Sequence, residues 1–260
     1  MSSLQGKVVM VTGASSGIGE ATARAFAAEG CALAIGARRA ERLDQLAAEL
    51  RAAGGLVYAA PLDVTDHASV SEFVQAAVQQ LGRLDILVNN AGLARGTHQI
   101  AEAAADKLAA WREMLETNVL GLLNVTAEVL PLLVAQGSGH VISLGSVAGH
   151  GVYEGGSVYA ASKHAELAIS QTLRLEMLGK GVRVTSIDPG LVETEFSVVR
   201  YRGDEERAKN VYAGLTPLSP TDVAECIVWA ASRPPHVNID EMIVKPLDQA
   251  AIGKVNKRAA

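Results

Sequence analysis

The sequence predicts a single α/β domain, a doubly wound, seven-stranded parallel sheet with helices on both faces. Short apolar segments alternate with amphipathic segments of helical period along almost the whole chain. The apolar residues are mainly Ala, Val, Leu and Ile, and only 4% of residues are aromatic, which is typical of parallel strands covered by helices. No linker, repeat or low-complexity segment divides the chain, so we expect one domain over residues 1–260.

Each strand is predicted from a short apolar run bounded by turn-forming residues, and the seven runs are 7–13, 31–38, 56–64, 84–92, 139–146, 182–190 and 241–246. Helices are predicted between them from apolar residues spaced three and four apart, over 19–30, 41–55, 67–82, roughly 106–134, 157–181 and 220–232. Because helices separate successive strands, the connections are expected to be right-handed crossovers.

Two segments fall outside this alternation. Residues 191–219 are too many for a plain connection, and they are predicted to form a lid or substrate-binding segment. Residues 248–260 form a C-terminal tail to which the sequence assigns no role, and simple solvation would explain its basic residues.

The composition and the start of the chain narrow the classes of function. The formal net charge is −5 and no dense basic block is present, so a nucleic-acid partner is not expected. Cys31 and Cys226 lie far apart, and no Cys/His cluster has metal-ligand spacing, which favours free thiols, a reducing compartment and no metal. Neither a signal peptide nor a run near the ~18 apolar residues of a membrane span is visible. We therefore expect a soluble cytoplasmic protein with no membrane partner.

Glycines follow the first predicted strand in the segment VVMVTGASSGIGEAT, which contains Gly13, Gly17 and Gly19. In this spacing the first glycine permits a tight turn, the second lets backbone approach a pyrophosphate, and the third lets helix pack on strand. The helix N-terminus supplies N–H groups for the phosphates. An ordinary glycine-rich turn is the alternative, but the position in an alternating chain favours a dinucleotide cradle, and with it a Rossmann-type domain.

The end of the second strand indicates which dinucleotide binds. NAD sites usually have Asp or Glu there to accept a hydrogen bond from the ribose 2′-hydroxyl, but this chain has Ala37, followed by Arg38 and Arg39. Guanidinium groups suit a 2′-phosphate, and Ser15 supplies a further donor. The sequence therefore predicts NADP(H). The alternative is that both arginines are only solvated residues at the start of a helix.

Polar residues also follow the third and fourth predicted strands. Asp63 either faces the adenine amino group or caps the next turn, and the residues alone leave both open. The segment NNAG, 89–92, lies where a cofactor would cross the sheet, and Asn89 is expected to orient backbone there.

Tyr159 and Lys163 are separated by four residues on a predicted helix, which brings both side chains to one face. A free tyrosine titrates near pH ~10, too high for a base at neutrality. An ammonium ~4 Å away favours a phenolate by roughly 4 kcal/mol at an effective dielectric of ~20. The pair therefore predicts an acid/base near neutral pH, whereas in isolation it would indicate only a weak surface contact.

Two further polar residues join this pair. Ser146 closes the fifth predicted strand, where side chains point into the ligand crevice of such sheets, and its hydroxyl is expected to hold a substrate oxygen. Asn118 lies inside a predicted helix, where Asn is unfavourable. It either only bends the helix or holds water that links Lys163 to solvent.

The motifs TGASSGIG, NNAG, YAASK and DPG, together with Asn118 and Ser146, resemble the short-chain dehydrogenase/reductase family over about 5–247. The resemblance implies a catalytic tetrad of Asn118, Ser146, Tyr159 and Lys163, with Lys163 and Tyr159 also against the nicotinamide ribose. It implies a homotetramer built partly through two long helices. It also implies further cofactor contacts from Ser16, Ile18, Val64, Asn90, Ala91, Gly92, Pro189, Gly190, Val192 and Thr194.

A finer similarity lies in the segment 190–212 and in the ending MIVKPLDQA. Both resemble the NADP-dependent 3-hydroxy acid dehydrogenases, which oxidise serine, allo-threonine, 3-hydroxypropionate or 3-hydroxyisobutyrate or run in reverse. Clavulanate dehydrogenase-like carbonyl reductases share part of the pattern. A broad ketone or aldehyde reductase, and more remotely a non-catalytic NADPH sensor, are the alternatives.

The substrate side is predicted from charged and aromatic residues. Arg200 and Arg202 are natural donors to a substrate carboxylate, or else pair with the acids of 204–206. His150 departs from the finer pattern, and it is expected to wall the substrate pocket with Tyr153 and Glu154. The expected ligand is a small hydroxy acid or carbonyl compound.

Overall fold

The computed structural model describes residues 3–102 and 104–258, and a seven-stranded parallel sheet lies at its centre. The strand order is β3-β2-β1-β4-β5-β6-β7. The strands are β1 (Val8–Thr12), β2 (Ala32–Ala37), β3 (Val57–Pro61), β4 (Ile86–Asn89), β5 (Gly139–Leu144), β6 (Val182–Pro189) and β7 (Glu241–Val244). All seven strands coincide with the runs predicted from the sequence, each shortened by the turn residues at its ends.

Helices cover both faces of the sheet because alternate strand residues point to opposite sides. Val9 and Val11 pack into one core cluster, and Met10 packs into the other. The helices of the first cluster are α1 (Gly17–Ala28), α2 (Ala40–Ala52) and α9 (Pro220–Ala231). Those of the second are α3 (His67–Leu81), α5 (Leu122–Gln136) and α6 (Ser157–Glu176). The doubly wound α/β fold predicted from the sequence is therefore confirmed.

The strand order reverses beside β1, which pairs with β2 on one side and β4 on the other. Helices connected to the two halves leave the sheet in opposite directions there, so a crevice opens at the carboxyl ends of the strands.

The long helix predicted over 106–134 is interrupted. Helix α4 (Ala105–Leu115) continues through a π-helical turn, Glu116–Gly121, into α5. The whole segment Ala105–Gln136 has 32 residues and a mean hydropathy of 1.7 in its most apolar window, enough by length and composition to cross a membrane. The expectation that no segment approaches this limit was therefore wrong. Of its most apolar window 39% is buried, and Val129 and Leu133 are fully buried in the core.

Both irregular segments contain secondary structure. The lid segment, residues 191–219, holds α7 (Phe196–Arg200) and α8 (Glu205–Asn210). The C-terminal segment folds back as an antiparallel hairpin of β8 (Gln249–Ala251) and β9 (Lys254–Val255). The backbone N–H of Arg258 donates to the carbonyl of Gly214 over 2.9 Å, so the end of the described chain is fastened to the lid segment.

Candidate active site

A cavity of about 660 Å³ lies in the crevice. It is lined by the glycine turn after β1, the ends of β2, β5 and β6, the segment after β4, the lid segment and the C-terminal hairpin. The sequence-predicted residues that line it are Gly13, Ser15, Ser16, Gly17, Ile18, Arg38, Arg39, Asp63, Val64, Asn90, Ala91, Gly92, Ser146, Tyr153, Tyr159, Lys163, Pro189, Gly190, Val192, Thr194 and Arg200. The structure therefore brings most of the predicted site to one place.

The glycine turn is shaped by close backbone contacts. Gly13 has φ +66°, and a Cβ there would lie 2.9 Å from the Cα of Ala91. Gly19 does not line the cavity. A Cβ at Gly19 would overlap the side-chain amide of Asn90 and the carbonyl of Gly13, so this glycine permits the packing of α1 against the turn. Ser16 precedes α1 without a side-chain cap, which leaves the first helical N–H groups facing the cavity.

The segment after β4 holds this turn in place. The amide nitrogen of Asn90 donates to the carbonyl of Thr12 over 2.8 Å, and the hydroxyl of Thr12 accepts from the N–H groups of Asn90 and Ala91 at 3.0 Å each. Thr12 was not predicted as a site residue, although it is a polar residue at the end of a buried apolar strand. Asn89 does not orient this backbone, because its side chain donates to Thr126 of α5 over 2.9 Å.

The two arginines after β2 differ in their contacts. The guanidinium of Arg39 donates to the hydroxyl of Ser15 at 3.1 Å and to that of Ser16 at 2.5 Å, and its Nη1 lies 2.9 Å from Glu195 of the lid segment. Within residues 3–102 and 104–258, Arg38 has no hydrogen bond or ion pair. Arg38 is therefore free to meet a ligand, while Arg39 links the glycine turn to the lid.

Asp63 serves as a turn cap and also lines the cavity. Its Oδ1 accepts from the backbone N–H of Thr65 at 3.0 Å and from the Thr65 hydroxyl at 2.7 Å. Burial opposes ionisation, but the bonds from Thr65 and the charge of Arg38 lower the pKa of Asp63 overall. The cap is present, and the adenine contact stays a prediction.

Lys163 is held at the cavity by two acceptors on its ammonium group. Its Nζ donates to the carbonyl of Leu144 at 2.8 Å and to Oε2 of Glu166 at 2.6 Å. Burial lowers the pKa of Lys163, but the charges of Glu166 and Tyr159 outweigh it and raise the pKa. Lys163 therefore stays a cation beside Tyr159, and both side chains line the same cavity, as the four-residue spacing predicts.

Ser146 has a hydroxyl proton available to a ligand. Its oxygen accepts from the N–H of Ala148 at 3.1 Å, capping a short 3-10 helix, Val147–Gly149. Accepting one hydrogen bond leaves the O–H free to donate, and Ser146 lines the cavity. This geometry suits the predicted contact with a substrate oxygen.

Asn118 lies in the π-helical turn and its side chain does not line the cavity. Its Oδ1 accepts from the N–H of Leu93 at 2.8 Å, and its Nδ2 donates to the carbonyl of Leu93 and the hydroxyl of Ser162. The side chain thus joins the segment after β4 to α6 next to Lys163. A π-helical turn in a long helix often marks a functional site. In the sequence, this turn was indicated only by a polar residue, Asn118, inside an apolar helix.

The substrate end contains two polar groups without partners. The Nε of Arg200 and the hydroxyl of Tyr153 are buried, and neither has a hydrogen bond within the described part of the chain. The guanidinium carbon of Arg200 lies 5.0 Å from the centroid of the Tyr159 ring. Burial raises the pKa of Tyr153, so it stays a neutral donor. Two hydrogen-bond donors without partners beside Tyr159 suit an anionic group of a ligand.

Three predicted substrate residues lie elsewhere, which corrects the expectation. His150 turns away from the cavity, with Nε2 2.9 Å from Asp188. Glu154 is exposed and accepts from Gln99 at 2.6 Å. Arg202 is exposed beyond the end of α7. None of the three lines the cavity.

The lid segment and the C-terminal hairpin complete the walls of the cavity with residues that were not predicted from the sequence. The Oε1 of Gln249 accepts from the N–H of Leu191 at 2.8 Å, and the hydroxyl of Tyr212 donates to the carbonyl of Val192 at 2.8 Å. The missed lining residues include Glu195, Phe196, Val199, Tyr212, Gln249, Ile252, Gly253 and Val255. Gly253, at the turn of the hairpin with φ +71°, was the sequence signal for it.

A glycine turn before an uncapped helix N-terminus and a serine–tyrosine–lysine group around one cavity are the arrangement of a dinucleotide-dependent oxidoreductase. A family model described as short chain dehydrogenase matches residues 7–204, and the chain belongs to this family. The family resemblance and the enzyme class predicted from the sequence are thus confirmed.

The chain is also similar to individual members along nearly its whole length. It is 44% identical over 245 residues to serine 3-dehydrogenase of Agrobacterium fabrum, covering 94% of this chain and 96% of that one. It is 39% identical to NADP-dependent 3-hydroxy acid dehydrogenase of Schizosaccharomyces pombe, covering 100% of each. Among solved structures, a serine dehydrogenase in its closed form with NADP+ superimposes with a TM-score of 0.90 at 40% identity, covering 97% of this chain and 100% of that one.

Proposed function

We propose that the protein is an NADP-dependent dehydrogenase that interconverts the hydroxyl group of a 3-hydroxy acid and the corresponding carbonyl. The observation that carries this proposal is the unpaired, buried Nε of Arg200, whose guanidinium lies 5.0 Å from the centroid of the Tyr159 ring. A cation so close to the acid/base residue suits a substrate with a carboxylate near the reacting hydroxyl. The relatives named for serine and for 3-hydroxy acids support it.

NADP(H) is the cofactor that the residues fit. Ala37 supplies no carboxylate at the ribose end, Arg38 has no ion pair in the described ranges, and both line the cavity. A free guanidinium and a missing acid favour a 2′-phosphate. The relatives that bind or use NADP agree. Bound there, the nicotinamide would supply hydride transfer.

The remaining steps, which are proton transfer, charge stabilisation and substrate orientation, are assigned to residues of the chain. Tyr159 takes the proton of the substrate hydroxyl in the oxidation and returns it in the reduction. Ser146 donates its free O–H to the substrate oxygen and steadies the charge that develops there. Lys163, a buried cation, stabilises the phenolate form of Tyr159. Arg200 and Tyr153 hold the carboxylate, which orients the carbinol carbon.

The test is a panel of matched substrates followed by NADPH absorbance. Each 3-hydroxy acid, such as 3-hydroxypropionate, L-serine or L-allo-threonine, is compared with its neutral amide at the same concentration. The proposal expects the acids to have the higher kcat/KM. Equal or better turnover of the amides would contradict it.

An apolar wall favours one alternative, a broad ketone or aldehyde reductase. Phe196 and Val199 pack beside Tyr159 in a small apolar cluster that includes Leu93. Plain aliphatic ketones added to the panel test this alternative, because an apolar pocket would turn them over better than any acid.

We also propose a cytoplasmic homotetramer. Several large apolar side chains are exposed along α4, the π-helical turn, α5 and the end of α6, namely Leu108, Leu115, Leu120, Leu123, Leu175 and Leu178. An apolar helical surface of this kind is typical of an interface. Sedimentation velocity checks the proposal, which a monomer would contradict.

A further inference from the structure

A second arginine lines the cavity next to the segment that carries Arg200. Arg95 follows β4, and its side chain is 21% exposed. It forms a two-point ion pair with Glu113 of α4, in which Nε lies 2.7 Å from Oε2 and Nη2 lies 2.6 Å from Oε1. The backbone N–H of Arg95 donates to Sδ of Met114 over 3.3 Å. Both the main chain and the side chain of Arg95 are therefore fastened to α4.

The third contact of the Arg95 side chain is with the backbone of the lid segment. Its Nη1 donates to the carbonyl of Val199 over 3.0 Å, and the N–H of Gly96 donates to the carbonyl of Arg200 over 2.7 Å. Val199 and Arg200 are the last two residues of α7. The last carbonyl groups of a helix have no partner within it, so bonds from outside decide how its end is held. The segment after β4 thus holds the end of α7 that bears Arg200.

The two arginines differ in how their charges are balanced. The bonds between Arg95 and Glu113 raise the pKa of the guanidinium and lower that of the carboxyl, so both groups stay charged and neutralise each other. Arg200, by contrast, has no ion pair within residues 3–102 and 104–258. A cation already paired with a carboxylate attracts a substrate anion much less than an unpaired one. The charge available to a substrate carboxylate is therefore that of Arg200.

The side chain of Arg200 is placed by contacts with two rings. Its guanidinium carbon lies 5.0 Å from the centroid of the Tyr159 ring and 5.1 Å from that of the Phe196 ring. Contacts between a cation and a ring fix the direction of a guanidinium less than charge-assisted hydrogen bonds do. The place of Arg200 beside Tyr159 therefore depends on the backbone at the end of α7, which Arg95 helps to hold.

Stability does not explain the pair of Arg95 and Glu113. Their side chains are 21% and 37% exposed, and ion pairs with this access to solvent contribute little to the free energy of unfolding. What distinguishes this pair is its place, since it connects α4 to the backbone of α7 at the wall of the cavity.

We propose that Arg95 is a positioning residue, which holds Arg200 beside Tyr159 and thereby sets the preference of the enzyme for substrates with a carboxylate. Arg95 acts through the backbone of α7 and does not itself bind the substrate. This inference rests on the proposed function, because it requires that Arg200 bind the substrate carboxylate. The proton transfer at Tyr159 is not affected by it.

The test is a double-mutant cycle of Arg95→Met and Arg200→Met, and the readout is the ratio of kcat/KM for a 3-hydroxy acid to that for its neutral amide. We expect Arg95→Met to lower this ratio about 10-fold in the wild-type background and less than about 2-fold in the Arg200→Met background, since the position of an absent cation no longer matters. A general loss of folded enzyme lowers both kcat/KM values equally and leaves the ratio unchanged. Arg112→Met is the matched control, because Arg112 is exposed on α4 and does not line the cavity.

The outcomes separate this inference from the function on which it rests. An unchanged ratio in Arg200→Met would contradict the carboxylate contact and, with it, the role of Arg95. If Arg200→Met lowers the ratio and Arg95→Met does not, the carboxylate contact stands and the positioning role is overturned. Equal losses in both backgrounds would also overturn it, because Arg95 would then bind the substrate directly. If circular dichroism shows that Arg95→Met does not fold, Arg95→Gln replaces it in the cycle, with the same expected and contradicting results.

Discussion

Replacing Arg200 by Met tests the proposed carboxylate contact, because Met keeps an apolar stem of similar length and removes the charge. Two charge-assisted hydrogen bonds of about 1.5 kcal/mol each contribute about 3 kcal/mol. That free energy corresponds to a loss of about 150-fold in kcat/KM for a carboxylate substrate. The carbonyl oxygen of the neutral amide forms only weaker hydrogen bonds to Arg200, so the kcat/KM of the amide should fall much less than that of the acid.

The assay is initial-rate NADPH absorbance with the acid and the amide for each variant, and the readout is the ratio of the two kcat/KM values. Arg202→Met is the matched control, since Arg202 is exposed and does not line the cavity. Arg200→Met should bring the ratio close to one, and Arg202→Met should leave it as in wild type. An unchanged ratio in Arg200→Met, or an equal loss with both substrates, would refute the carboxylate contact.

Three further predictions concern the cofactor and the fold. The double variant Ala37→Asp, Arg38→Ala should shift preference from NADP to NAD, because a carboxylate replaces the free guanidinium at the ribose end; parallel kcat/KM measurements with both cofactors check it, and an unchanged preference would place the phosphate contact elsewhere. Gly19→Ala should lower the free energy of unfolding by about 1–3 kcal/mol and weaken NADPH binding, because the new Cβ would overlap the carbonyl of Gly13; thermal melts and fluorescence titration measure both, and a variant as stable and as tightly binding as wild type would contradict the packing role. Burial, and to a smaller extent the charge of Arg183, holds the pKa of His140 well below its usual range, so the folded state keeps this imidazole neutral and stability should fall by about 1.4 kcal/mol per pH unit below ~6.5. Urea unfolding of wild type and His140→Gln at several pH values isolates that slope, which parallel curves for the two proteins would disprove.

The cofactor end of the site could be predicted from the sequence because its signals are local. The glycine turn, the missing acid at Ala37 and the four-residue spacing of Tyr159 and Lys163 each depend on neighbours along the chain. The positions of the strands could be predicted for the same reason, because buried parallel strands are continuous apolar runs in the sequence.

The substrate end could be predicted only in part because tertiary packing decides it. Arg200 faces the cavity and Arg202 does not, although they are two residues apart on one segment. His150 turns towards Asp188, a partner from a strand 38 residues later. The C-terminal hairpin reaches the cavity only because it folds back over the end of β6, where Gln249 accepts from Leu191.

The lid illustrates the same limit. Glu195 lies 2.9 Å from Arg39 and 2.6 Å from Arg42, across more than 150 positions of sequence. The bonds of Arg39 hold the pKa of Glu195 below its usual range, with a further contribution from Arg42. An ion pair between residues so far apart in sequence cannot be predicted from periodicity or from a local motif.

The acid/base role of the phenol is tested most directly by single-turnover oxidation with Tyr159→Phe preloaded with NADP+. The variant should bind the cofactor as wild type does and form NADPH at least ~100-fold more slowly, because only the hydroxyl has been removed. Formation of NADPH at the wild-type rate would contradict the account.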